Sequence, residues 1–339
     1  MVLVNEILSQ LSLVDKPTAW GTLATVKPFS NFDEENDAQT LFKALNTKGV
    51  DEATILNVLT NRTNEQRQSI SRAFYRLSEG QDLEPLLKKG LSGHLETVII
   101  ALLKTPAAYS ALQVNAAVKG LGTDEETLAE LLCTRSNTEI QDMAVIYKQE
   151  FKKDLMDAIK GDTKGNFQKL LLALAKGNRD ANSKIIDYEL IEADVKTLRT
   201  AITHKPCDVD AWIQILTERS PNHLNRVFRQ YKTLSGQDVT DSIKIAMKGD
   251  DETGFLTLVQ TLQDTPQYFA DRLHVTMKSM GTKDKDLIRI LVSRCEIDLI
   301  SVRSAFRKKY GKSLYSAIEG DTKGDYRSAL LALCRAEDL

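Results

Sequence analysis

The sequence predicts an all-α protein assembled from four related helical units, and three observations predict it. One apolar ladder, spaced i, i+3, i+4, i+7, recurs four times along the chain. An arginine precedes each ladder by a near-constant interval. No strand signal competes with the helical period.

The ladders are Leu95, Val98, Ile99, Leu102; Phe167, Leu170, Leu171, Leu174; Phe255, Leu258, Val259, Leu262; and Tyr326, Ala329, Leu330, Leu333. Arg62, Arg135, Arg219 and Arg294 stand 33, 32, 36 and 32 positions before the first ladder residue. Units of about 70 to 80 residues follow, the length of a helical repeat that must pack on its neighbours to bury its apolar face.

Helix starts are marked by side chains that accept hydrogen bonds from free backbone amides. Thr63-Asn64-Glu65-Gln66, Thr123-Asp124-Glu125-Glu126 and Ser136-Asn137-Thr138-Glu139 all fit the capping box. The second unit reads as five helices, over Ala108 to Lys119, Asp124 to Cys133, Asn137 to Phe151, Lys153 to Ile159 and Gly165 to Lys176. Expected boundaries are a tail over 1–31, units over 32–104, 105–176, 188–261 and 265–336, and a polar connector over 177–187.

With 339 residues and 42% hydrophobic content, the chain can bury a sizeable core. Its longest apolar runs, such as Leu170 to Ala175 and Leu330 to Cys334, fall far short of the roughly 20 residues of a membrane span. No basic stretch, apolar run and small-residue cleavage site open the sequence, so the expected compartment is cytoplasmic. Four scattered cysteines make neither a disulfide framework nor a Cys-x-x-Cys pair. Basic and acidic residues number 45 and 47, which removes bulk charge as a reason to bind nucleic acid or an anionic membrane. Such binding then needs a local patch or a switched charge.

Two loops carry chemistry. Gly120-Leu121-Gly122-Thr123 is followed by Asp162, thirty-nine residues past the threonine, and Ser279-Met280-Gly281-Thr282 is followed by Asp321 at the same interval. Carbonyls of Val118, Gly120 and Gly122 with both oxygens of Asp162 would supply hard oxygen ligands of the kind calcium takes. One protein charge against two on the ion implies weak binding, on the order of 10⁻⁵ to 10⁻³ M, unless an anion such as a lipid phosphate completes the shell. Read singly, each motif is also an ordinary helix stop, turn or cap. The repeated interval favours the ligand reading.

Enzyme motifs are missing. There is no His-Glu-x-x-His or Gly-x-Ser-x-Gly, Gly311-Lys312-Ser313 lacks the upstream glycine of a phosphate loop, and the four histidines show no metal spacing. The expectation is a binding protein.

Lys119-Gly-Leu-Gly-Thr-Asp-Glu125, Gly161-Asp-Thr-Lys-Gly165, Thr134-Arg-Ser136 and Tyr310-Gly-Lys-Ser-Leu314 together resemble the annexins over nearly the whole chain. The resemblance implies four annexin repeats of five helices in a curved disc, with calcium loops that meet acidic phospholipid at the plasma membrane or endosomes, and an extracellular surface role as a further possibility. Carried over residue by residue, it implies main sites at Val118, Gly120, Gly122 and Asp162, and at Met277, Ser279, Gly281 and Asp321. Ser279 replaces the usual first glycine. In unit three, His204-Lys205-Pro206-Cys207 departs from the loop pattern, although Asp250 stands at the carboxylate position of the motif. In unit one, Gly90 occupies that position; weaker sites are implied at Gly49, Val50 and Glu52, and at Lys89, Leu91 and Glu96.

In the tail, Val4, Ile7, Leu8 and Leu11 form an apolar stripe outside the repeats. Within the family a similar tail helix docks into a dimeric EF-hand protein of the S-hundred family, giving a heterotetramer. A tail packed on its own body, or a frayed terminus, is the alternative. Actin, heparin and RNA binding are further family roles, although Arg307-Lys308-Lys309 and Lys88-Lys89 are short basic runs. The rival function from another class is a helical-repeat scaffold that binds protein without calcium.

Overall fold

The computed structural model describes residues 23–119, 122–180, 185–278 and 281–336, and among them it contains twenty α-helices and no strand. The tail positions Val4, Ile7, Leu8 and Leu11, and the loop positions Gly120 and Ser279, lie outside the described residues. Repeat one comprises α1 (Glu34–Asn46), α2 (Glu52–Thr60), α3 (Asn64–Leu77), α4 (Leu83–Gly90) and α5 (Gly93–Leu103). Repeat two comprises α6 (Pro106–Val118), α7 (Glu125–Thr134), α8 (Asn137–Phe151), α9 (Leu155–Asp162) and α10 (Gly165–Ala175). Repeat three comprises α11 (Tyr188–Thr203), α12 (Val209–Glu218), α13 (Pro221–Ser235), α14 (Val239–Ala246) and α15 (Asp250–Gln263). Repeat four comprises α16 (Thr265–Lys278), α17 (Asp284–Arg294), α18 (Leu299–Tyr310), α19 (Leu314–Asp321) and α20 (Gly324–Cys334).

The chain divides into two compact units. One joins Met1–Pro106 with Phe269–Leu339, and the other is Ala107–Tyr268. In the second unit, Phe167, Leu170, Leu171, Phe255, Leu258 and Val259 are buried in one continuous core with Leu128, Leu131 and Trp212. In the first unit, Leu95, Val98, Ile99 and Leu102, and Ala329, Leu330 and Leu333, are likewise buried, while Tyr326 is half-buried. Each fully buried leucine contributes about 1.5–3 kcal/mol, so the ladders are the principal cohesive feature of each repeat.

Local signals set the helix ends. Thr63 with Gln66 and Ser136 with Glu139 form reciprocal capping boxes as the sequence predicts. The box expected at Thr123 does not form. Asp124 is the cap of α7 instead, accepting from the Thr127 amide at 3.0 Å and the Thr127 hydroxyl at 2.8 Å, which releases Thr123 for another task. The third helix of every repeat is followed by a left-handed residue in the same register: Glu79, Lys152, Gly236 and Gly311.

The marker arginines are structural. Arg62 pairs with buried Asp37 (2.6 and 2.9 Å), and Arg219 pairs with Asp194 (2.8 and 3.2 Å), each partner lying twenty-five residues upstream. At that register repeat two has Ser110, 3.4 Å from Arg135, and repeat four has Phe269, over which Arg294 stacks while pairing with Asp298. The longer Arg219 interval also has a cause. Helix α15 is 14 residues long against 11 for α10, and these three residues with one more in the preceding connection make about one additional turn, which leaves the ladder on the same face. No helix among the described residues is long and apolar enough to cross a membrane.

Candidate calcium loops

The loop between the first two helices of every repeat is closed by one backbone bond across seven residues. The amides of Asp51, Asp124, Asp208 and Lys283 donate to the carbonyls of Ala44, Ala117, Ala201 and Thr276, all at 3.0 Å. The frame is therefore common to the four repeats, and only the side chains and glycines within it differ.

In repeats two and four the frame delivers the same pair. The Thr123 hydroxyl lies 2.8 Å from Asp162 Oδ2 and 2.9 Å from the Asp162 carbonyl oxygen. The Thr282 hydroxyl lies 2.6 Å from Asp321 Oδ2 and 3.2 Å from the Asp321 carbonyl. One carboxylate oxygen is thus held by the loop, and Oδ1 has no hydrogen bond among the described residues. Both aspartates are the last residues of their helices, α9 and α19, and both are half-buried.

Gly122 and Gly281 adopt φ of 98° and 104°, with open space where a Cβ would stand. Glycine adopts that left-handed backbone at no steric cost. Val118 and Met277 occupy the C-terminal ends of α6 and α16, where helix carbonyls lack intrahelical partners. Among the described residues no cluster of three or more His, Cys, Asp or Glu side chains could hold a metal ion. A cation placed here would have to take most of its protein ligands from backbone carbonyls and one from a carboxylate. This all-oxygen donor set fits calcium, and the hydroxyl-held aspartate fits a ligand oriented before the ion arrives.

Repeats one and three lack both halves of the pair. In repeat one Val50 stands at the threonine position and Gly90 at the aspartate position; a Cβ on Gly90 would meet Val50 Cγ2 at 3.0 Å. In repeat three Cys207 replaces the threonine. Helices α9 and α14 run in register from their Asp154 and Asp238 caps to their last residues, so the residue matching Asp162 is Ala246. Asp250, expected there from the Gly249-Asp250 motif, instead opens the extra turn of α15 and is exposed. The signal was present in the 36-residue Arg219 interval, four longer than in repeats two and four.

The weaker candidate positions are scattered by comparison. Gly49 is exposed, and the Val50 carbonyl accepts the Glu52 amide at 3.1 Å. Lys89 is exposed at the end of α4, Leu91 is buried, and Glu96 lies in the first turn of α5. Glu52 itself has a neighbour that sequence spacing does not reveal. It lines a cleft of about 450 Å³ with Asp284, Asp321, Asp325, His94 and Tyr326. Burial, and then the Asp325 carboxylate beside it, hold the Glu52 carboxyl above the usual range. Burial also raises the Tyr326 hydroxyl, as does its 2.8 Å bond to Asp284.

The comparisons with known proteins bear on the family and the fold. A family model described as annexin matches residues 36–102, 109–174, 193–258 and 268–333. Annexin A9 of Homo sapiens is 45% identical over 337 residues, 99% of this chain and 97% of that protein. Among solved structures, annexin III superposes with a TM-score of 0.91 at 40% identity, covering 94% of this chain and 99% of its own. The structure of calcium-bound annexin (Sm)1 matches with a TM-score of 0.84 at 32% identity over 92% of each chain.

Proposed function

The chain belongs to the annexin family, and from that premise we propose that it binds acidic phospholipid membranes through calcium held in repeats two and four. Annexins are known for calcium-dependent phospholipid binding. The single observation that carries the assignment to particular repeats is the hydroxyl-held carboxylate, Thr123 on Asp162 and Thr282 on Asp321, present in those two and replaced in the others. That calcium-bound annexin (Sm)1 shares the fold supports calcium as the ion.

In this reading the chain supplies carbonyls of Val118, Gly120 and Gly122 with Asp162, and of Met277, Ser279 and Gly281 with Asp321. Each set places one negative charge against two on the ion. A lipid phosphate supplies the missing oxygens and charge, so a chain of net charge −2 adheres to an anionic surface only when calcium is present. Association is peripheral, at a membrane surface, and the role is binding rather than catalysis.

Co-sedimentation with phosphatidylserine vesicles across a calcium titration tests the proposal. Asp162→Ala with Asp321→Ala is expected to raise the calcium requirement substantially; an unchanged titration refutes the site assignment. A calcium-independent scaffold would leave the protein in the supernatant at every calcium concentration.

The amino-terminal stripe of Val4, Ile7, Leu8 and Leu11 supports a second interaction, docking into a dimeric EF-hand protein of the S-hundred family, with bridging of two membranes through the resulting heterotetramer. A likeness to annexin II, read from the repeat signatures and the tail, belongs to this proposal, whereas the relatives matched above are annexin A9 and annexin III. Absence of heat on titrating a peptide of residues 1–13 into the EF-hand dimer would remove the docking. The basic runs offer less to actin, heparin or RNA: Lys309 is paired with Asp271 at 2.8 Å and Lys88 with Glu84 at 2.8 Å.

A further inference from the structure

One cleft recurs between the first, third and fourth helices of a repeat, and its occupancy alternates with the calcium pair. In repeat two it measures about 170 Å³ and is lined by Phe151, with Lys119 5.5 Å from that ring and Asp162 at its edge. At the matching register in repeat four, Tyr310 stacks on His274 at 3.8 Å and 6°. In repeats one and three the aromatic residue is replaced by Ser78 and Ser235, and the clefts open to about 480 and 560 Å³. A volume in this range admits a small ligand or a headgroup.

The clefts of repeats one and three differ in charge. The cleft of repeat one is lined by Lys89 and Glu79, which offset each other. The cleft of repeat three is lined by Lys196 and Arg199 and by no carboxylate. Both cations are exposed, and neither forms an ion pair with the described residues. Tyr231 also lines the cleft, its buried hydroxyl donating to the Ser242 hydroxyl at 2.9 Å. Its rim is apolar: Leu234 is 53% exposed and Ile245 is 68% exposed. Ile245 and Ala246 stand where repeat two has Gly161 and Asp162.

We propose that repeat three binds an acidic phospholipid headgroup directly, without a bridging ion, through Lys196 and Arg199, with Ile245 and Leu234 entering the lipid interface. The proposal rests on the membrane reading above. Charge complementarity commits the site to an anionic headgroup, and the exposed aliphatic rim commits it to lipid rather than to free phosphate, since such side chains gain only where apolar surface covers them. The repeat that lost its carboxylate thereby exchanges a calcium bridge for fixed cations. Each basic group beside an anionic leaflet is worth about fivefold in affinity, and the pair about 30-fold.

The test uses the full chain, phosphatidylserine vesicles and saturating calcium. Lys196→Gln with Arg199→Gln is expected to weaken vesicle affinity about 30-fold, with the calcium midpoint following from that loss alone and thermal stability unchanged. Ile245→Trp is expected to show emission quenched by brominated lipid, and inorganic phosphate at millimolar concentration should compete poorly. Equal vesicle affinity of the double variant and the parent overturns this proposal and leaves calcium bridging by repeats two and four intact. A parent chain that ignores the vesicles at every calcium concentration overturns both. Heparin retained through Lys196 and Arg199, with vesicle affinity unmoved by their loss, assigns the cleft to an anionic glycan and refutes the lipid reading.

Discussion

Replacing Thr123 and Thr282 by valine removes two hydroxyls and leaves the shape of the side chains unchanged. The structure says what those hydroxyls do: each lies within 2.6–2.8 Å of the Oδ2 of the candidate calcium aspartate. Losing such an outer partner of a metal ligand typically costs 10–100-fold in metal affinity, or about 1.4–2.8 kcal/mol per site. Folding should suffer little, because the aspartates are half-buried and water can reach them, and because repeat one already carries Val50 at this register. The expected result is a calcium midpoint for vesicle co-sedimentation raised about 10-fold or more, with a thermal midpoint near that of the parent. Thr→Ser at both positions should restore most of the loss. A Thr→Val double variant whose calcium midpoint stays within about twofold of the parent would show that the hydroxyl does not orient the carboxylate, and the ligand argument of repeats two and four would lose its basis.

Three further outcomes follow from the same geometry. Gly90→Asp should destabilise repeat one by about 1–3 kcal/mol through crowding at Val50, with or without Val50→Thr, and the double variant should add one bound calcium, counted by titration calorimetry. Asp37→Ala leaves the Arg62 guanidinium buried without its carboxylate and should cost about 3–5 kcal/mol in denaturant unfolding, whereas Ser110→Ala beside Arg135 should cost about 1 kcal/mol. Burial pushes the Cys295 thiol up to about 12 from 9.0, so above pH 9 the unfolded chain releases a proton that the folded chain keeps. Stability should therefore fall as pH rises from 9 toward 12, and Cys295→Ala should flatten that decline in pH-dependent thermal unfolding.

Much of the fold was legible because it is written in local terms. Ladder spacing names the buried face of a helix whatever it packs against, and the caps at Thr63 and Ser136 act within one turn. The bounds expected for α8, Asn137 to Phe151, are those observed. Where a residue had two available partners, the sequence misled. Thr123 reads as a cap, yet Asp124 caps more effectively and the threonine turns to Asp162. Gly249-Asp250 reads like Gly161-Asp162, because a motif search aligns letters and not helix turns. The inserted turn of α15 shifts the register by four, and Ala246 takes the carboxylate position.

The candidate ligand set divides along the same line. Residue order alone established four helical repeats, the two loops that keep their glycines, and the interval of thirty-nine residues that ties each loop to an aspartate. Chain folding alone decided that the tie is a hydrogen bond from the threonine hydroxyl, and that Val50 fills the space a repeat-one carboxylate would need. It also brought Glu52 beside Asp325 and opened the cleft of repeat three around Lys196 and Arg199. Helical periodicity repeats every 3.6 residues and is visible in any short window. A contact between residues far apart depends on the helices between them, and no window of the sequence contains it.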